Sequence, residues 1–147
     1  MSLIERLNED MKQAMKSQDK FRLSVIRMVR SSIKNAEIER QKPLDDSEVI
    51  DILQREVKQR KDSLQDFEKA GRSDLAADAS KEIDILQEYL PQQLSEEEIV
   101  EIVKQTMQET GAATKADMGR LMGALMPKVK GRADGKIVNR IAQQLLQ

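Results

Sequence analysis

The chain has 147 residues, 35% of them charged and 39% hydrophobic, with 2% aromatic, no Cys and no His. Disulfides, thiol or imidazole metal sites and His-assisted nucleophiles are thereby excluded. No run of about 18 apolar residues offers a membrane span, and a charge-rich, aliphatic composition favours amphipathic helices over a β-sandwich.

The start, Met1-Ser2-Leu3-Ile4-Glu5-Arg6-Leu7, is acidic and amphipathic, unlike a signal peptide, so a cytoplasmic location is expected. Ile4, Leu7, Met11 and Ala14/Met15 trace one helical stripe, and Ile26, Val29, Ile33 and Ala36 trace a second. Between them Ser17–Lys20 reads as a turn with Asp19 as the next cap. Pro43 should stop the second helix near Arg40, because the residue before a proline avoids helical geometry.

Asp45 and Glu48 then form a capping box, with Leu44 and Val49 as its hydrophobic staple. The third helix carries Ile50, Leu53, Val57, Leu64 and Phe67 to Gly71. The fourth runs from Ser73 with Leu75, Ala79, Ile83, Leu86 and Leu90 inward. Pro91-Gln92-Gln93-Leu94 is the expected linker, separating an N-terminal domain (1–90) from a C-terminal one (95–147).

Ser95 and Glu98 repeat the capping box, with Leu94 and Ile99 as staple, and helix five carries Ile102/Val103 and Met107 to Gly111. Helix six starts near Thr114 and carries Met118, Leu121, Met122 and Leu125. Pro127 should kink or end it, aiming Lys128 and Lys130 outward. Gly119 and Gly123 share a face that permits close approach of another helix, and the methionines at 118, 122 and 126 read as core. Gly131 suits a left-handed stop and Asp134 caps helix seven, with Ile137, Val138, Ile141, Ala142 and Leu145 inward. The fold expected is all-α: a bundle of about four helices, then a small three-helix domain.

Charge is segregated. Residues 111–147 hold seven Lys or Arg against two acids, a balance of +5, whereas the other 110 residues sum to −6. Such a tail points to an anionic partner, and Lys128, Lys130, Arg132, Lys136 and Arg140 are the candidate phosphate contacts. A second basic face, Arg27, Arg30 and Lys34 with Lys20 further back, recurs at helical spacing on helix two; an ordinary solvated face opposite Ile26, Val29 and Ile33 is the simpler explanation. The clusters Asp45-Asp46 and Glu96-Glu97-Glu98 lie in first helical turns, where the macrodipole favours acids, rather than in an oxygen-rich metal loop.

The ordered set Gly123, Leu125-Met126, Lys130-Gly131, Ala133, Val138-Asn139 and Leu145 resembles the C-terminal tail domain of the B subunit of tRNA-dependent amidotransferases. That likeness covers roughly residues 95–147. Over its full length the chain resembles the stand-alone YqeY proteins of the GatB/YqeY family. Pro127 and Gly135 depart from the tail pattern and bear on the turn's geometry. The resemblance implies a non-catalytic accessory protein that touches the body of tRNA. The amidase subunit of those enzymes uses a Ser-Ser-Lys arrangement in a Gly/Ser-rich segment. Here Ser31-Ser32 with Lys34 lies inside an amphipathic helix without glycines, so both serines are expected to face solvent or back-bond. The alternatives are an adaptor docking on a synthetase or amidotransferase, or an accessory to glutamine-dependent carbon–nitrogen ligation. No catalytic residue, cofactor, metal or small-molecule substrate is expected.

Overall fold

The computed structural model describes all residues, Met1–Gln147, and the chain is all-α. It divides into two compact units, Met1–Leu90 and Pro91–Gln147.

The first unit holds α1 (Leu3–Lys16), α2 (Lys20–Arg40), α3 (Asp46–Lys69) and α4 (Ser73–Gln87). α1, α2 and α3 begin where a short polar side chain satisfies free backbone donors, whereas α4 follows Arg72 without a side-chain cap. Asp19 accepts from Arg22 N at 3.1 Å, and Asp45 and Glu48 form the reciprocal box. Ser2 and Glu5 build a further box at the start of α1. α2 ends at Arg40 with Gln41 left-handed (φ +56°), ahead of Pro43. The turn is closed by Leu44 N–H donating to Glu37 Oε2 at 3.0 Å.

One residue from each helix, Leu7, Ile26, Leu53 and Leu86, is essentially inaccessible, so the four helices share one core. Each such side chain contributes about 1.5–3 kcal/mol of transfer free energy. Tyr89, just past α4, is buried in the same core. Its hydroxyl donates to Asp10 and the Arg6 guanidinium lies 4.6 Å from its ring centre.

The second unit holds α5 (Glu96–Thr110), a 3-10 turn (Lys115–Asp117), α6 (Met118–Val129) and α7 (Gly135–Leu145). Ile99, Val103, Leu121, Leu125, Val129 and Val138 form the centre of its core. Residues 91–94 are bound to this unit, not free of it. Leu94 N donates to Arg132 O at 2.8 Å and Gln93 Nε2 donates to Gly131 O at 2.9 Å. At the far end Gln147 N donates to Ala113 O and Lys115 N to Gln147 O.

Three local expectations are corrected. α6 does not stop at Pro127 but continues to a fully buried Val129. Gly119 and Gly123 are exposed, and an added Cβ would meet nothing within 4 Å, so no neighbouring helix closes on them. Leu121 and Leu125 occupy the inner face instead. Met118 and Met122 pack against the core, but Met126 is exposed.

Candidate nucleic-acid interface

The basic junction between α6 and α7 is a compact turn. Lys130 N donates to Met126 O at 2.9 Å, and Arg132 N and Ala133 N both donate to Val129 O. Gly131 takes φ +78°, the left-handed conformation that a residue without Cβ adopts cheaply. Asp134 then caps α7 by accepting from Lys136 N at 3.0 Å.

The five cations singled out in this region have different surroundings. Lys130 and Lys136 are exposed, one on each side of the turn. Lys128 folds back on α5, its Nζ 2.7 Å from Glu109 Oε2 and 2.9 Å from Thr106 Oγ1. Arg140 pairs with Glu96 at 2.6 Å. Arg132 is half-buried and its Nε donates to Gln92 O at 3.3 Å, a contact that holds the 91–94 stretch to the turn. Lys128 is thus exposed but leans along α5 in an ion pair, because the helix persists past Pro127 and carries it on the α5 side.

Thr106, fully buried, was not foreseen. Its hydroxyl donates to Ile102 O at 2.7 Å and accepts from Lys128. A Thr in a helix interior commonly bonds back one turn, but nothing local in sequence marks it as a lysine's partner 22 residues away.

The 3-10 turn that leads into α6 is organised by Asp117. N–H donation from Ala113 (2.9 Å) and Thr114 (3.1 Å), then the charge of Arg120, hold its carboxyl below the usual aspartate range.

On α2, Arg27, Arg30 and Lys34 are exposed and line one pocket of about 640 Å³ between α1 and α2. Arg30 Nη1 lies 3.0 Å from Met11 Sδ. Lys20 sits at the start of α2, exposed, and is not part of that pocket. Ser31 lines the pocket rim as an exposed residue. Ser32 departs from expectation: it is half-buried and its hydroxyl donates to Glu56 Oε1 at 3.1 Å. Glu56 belongs to an ion cluster around Arg60, which bonds Glu56 Oε2 (2.5 Å), Glu82 Oε2 (2.7 Å) and the Glu56 carbonyl (3.1 Å). Ser32 is thus tied into the packing of α2, α3 and α4.

With that geometry in place, comparison decides the family. The family model described as "Yqey-like protein" matches residues 4–146. The chain belongs to the YqeY-like family. The YqeY-like chain is also similar to curated proteins named "Altered inheritance of mitochondria protein 41, mitochondrial". The one from Pyrenophora tritici-repentis is 32% identical over 149 residues, covering 98% of this chain and 81% of the relative. Those from Lachancea thermotolerans and Kluyveromyces lactis are 41% identical over 90 and 87 residues, covering 60% and 58% of this chain. The aligned segments span about half of those two relatives, 48% and 47%. These relatives overturn the cytoplasmic location expected from sequence, since each of them is named as mitochondrial. No helix of the chain is long and apolar enough to cross a membrane.

Proposed function

We propose that this YqeY-like protein is a non-catalytic accessory protein that holds tRNA through the α6–α7 junction. The observation that carries the reading is the exposure of Lys130 and Lys136 on a segment whose balance is +5. The likeness of residues 95–147 to the amidotransferase tail supplies the class of RNA.

Physical chemistry supports backbone recognition over base reading. The second unit contains no Phe, Tyr or Trp, so it offers no stacking platform, and shape and phosphate are what remain to be read. Lys128 and Arg140 would join after releasing their acids. Both pairs are solvent-exposed, and an exposed ion pair holds its partners by only about 0–1 kcal/mol. Arg132 acts differently, as the residue that positions the turn. Where the relatives' names extend to this chain, the tRNA pool concerned is mitochondrial.

Filter binding of the full chain to tRNA across a salt series tests the proposal. Affinity should fall linearly with log salt, and Lys130→Ala with Lys136→Ala should reduce the slope by about 0.7–0.9 per lysine lost. Unchanged slope and affinity in the double variant would remove the junction from consideration. The second reading, an adaptor for a synthetase or amidotransferase, has its own specific support in Ile38, 67% exposed on α2 beside Pro43 and Lys42.

A further inference from the structure

The α1–α2 pocket has properties that neither tRNA contact nor helix packing uses. Its floor is apolar, built from Ile4 and the buried Leu7 and Ile33. Its rim is cationic: Arg27, Arg30 and Lys34 recur at three- and four-residue spacing along α2, so their side chains share one face. Over the seven steps from Arg27 to Lys34 the helix rises only about 10 Å, close enough for all three to converge on one ligand. The single acid lining the pocket is Glu37, whose Oε2 is already engaged by Leu44 N–H. The lining therefore carries a net charge of +2, three cations against one carboxylate.

Asn8 on the α1 wall, with Ser31 and Asn35 on α2, supplies further polar groups in the lining. Arg30 meets only the Met11 sulfur, a weak acceptor that a charged oxygen would displace.

From this arrangement we infer that the α1–α2 pocket binds a small organic phosphate, a phosphate monoester attached to an apolar or aromatic body. A volume of about 640 Å³ lies within the usual range of small-molecule sites, roughly 300–1,000 Å³. The net +2 matches a phosphate monoester, which carries about −1.5 to −2 near neutral pH, better than it matches a single carboxylate. The apolar floor takes the body, and the cationic α2 rim takes the phosphate oxygens. The site belongs to the first unit and stands independently of tRNA binding by the second.

The test is titration of the full-length, isotope-labelled chain with 1-naphthyl phosphate, followed by amide chemical shifts. 1-Naphthoate and inorganic phosphate serve as comparison ligands. The expected result is saturable shifts confined to Ile4–Asn8 and Arg27–Glu37, with 1-naphthyl phosphate binding more tightly than either comparison. Arg27→Gln with Lys34→Gln, both at exposed positions, should weaken it by roughly tenfold per cation removed, while the rest of the spectrum reports an intact fold. Three results would each overturn the inference: binding that survives the double variant, shifts of equal size at Lys130–Lys136, or 1-naphthyl phosphate no tighter than inorganic phosphate.

Discussion

Arg60 offers a sharp test of how the first unit is held together. It is only 9% exposed, and its guanidinium joins Glu56 on its own helix to Glu82 on α4, with Ser32 of α2 bonded to the same Glu56. Arg60→Ala would leave two carboxylates facing each other without their cation. Removing one partner of a buried pair costs about 3–5 kcal/mol. The Glu82 side chain retains 28% exposure, against 14% for Glu56, so water can reach one of the two orphans. The low end, about 3 kcal/mol, is therefore expected. For a unit of this size each kcal/mol moves the midpoint by about 4–8 °C, which gives a drop of about 12–24 °C. Circular dichroism melts and urea unfolding of the full chain would measure it. Replacing all three charges, Arg60→Met with Glu56→Gln and Glu82→Gln, should recover most of the loss, because neutral side chains of similar size leave no uncompensated charge. Ser32→Ala should cost about 1 kcal/mol through the lost bond to Glu56, outweighing the few tenths gained in helix propensity. A loss below about 1 kcal/mol for Arg60→Ala would mean that the cluster is solvated and contributes no more than a surface pair.

Three further outcomes are expected. Tyr89, the sole tyrosine, has its phenol held above the usual value of 10.0, first by burial and then by its bond to Asp10. The unfolded chain therefore loses that proton first, so stability present at neutral pH declines as pH rises past 10. Ultraviolet phenolate titration should show the delay, and Tyr89→Phe should flatten the alkaline decline while losing about 1 kcal/mol at neutral pH. Arg132→Ala should lower the melting temperature of the second unit, through a lost bond worth about 1 kcal/mol, yet change tRNA affinity less than Lys130→Ala does in filter binding. Gly131→Ala should cost about 1–2 kcal/mol in urea unfolding, because a Cβ is strained at φ +78°.

The helix starts were legible because they are local. Asp19, Asp45 and Ser95 each act on a donor three residues on, so spacing alone identifies them. The inward stripes were legible for the same reason, and Ile26, Val29 and Ile33 are buried as their spacing predicts. Periodicity failed where the helix itself ends. α4 stops at Gln87, and the backbone beyond it leaves the 100° progression, so Tyr89 is buried in the core while Leu90 packs against it only partly buried. Arg60 shows the other failure. In sequence it stands on the inward stripe of α3, three residues after Val57 and four before Leu64, but spacing names no partner for a charge there, and only the packing of α2 and α4 over it supplies Met28 and Glu82.

The candidate interface was partly legible, and the part that was not turns on Pro127. A proline inside a helix removes one amide and costs about 3 kcal/mol or more in a helix interior, which argued for a stop before Lys128. Two features reduce that cost here. Pro127 lies in the last turn, and the carbonyl deprived of its donor belongs to Gly123, an exposed residue whose oxygen water can reach. Continuing the helix also buries Val129 completely, contributing about 1.5–3 kcal/mol. The helix therefore proceeds, and two lysines only two residues apart acquire opposite roles. At about 100° per residue, Lys128 and Lys130 project some 200° apart, so one reaches back to Glu109 and Thr106 while the other stands clear in solvent. The cations of this turn are thus not equivalent, and Lys130 is where an approaching phosphate would meet a charge without first displacing an acid.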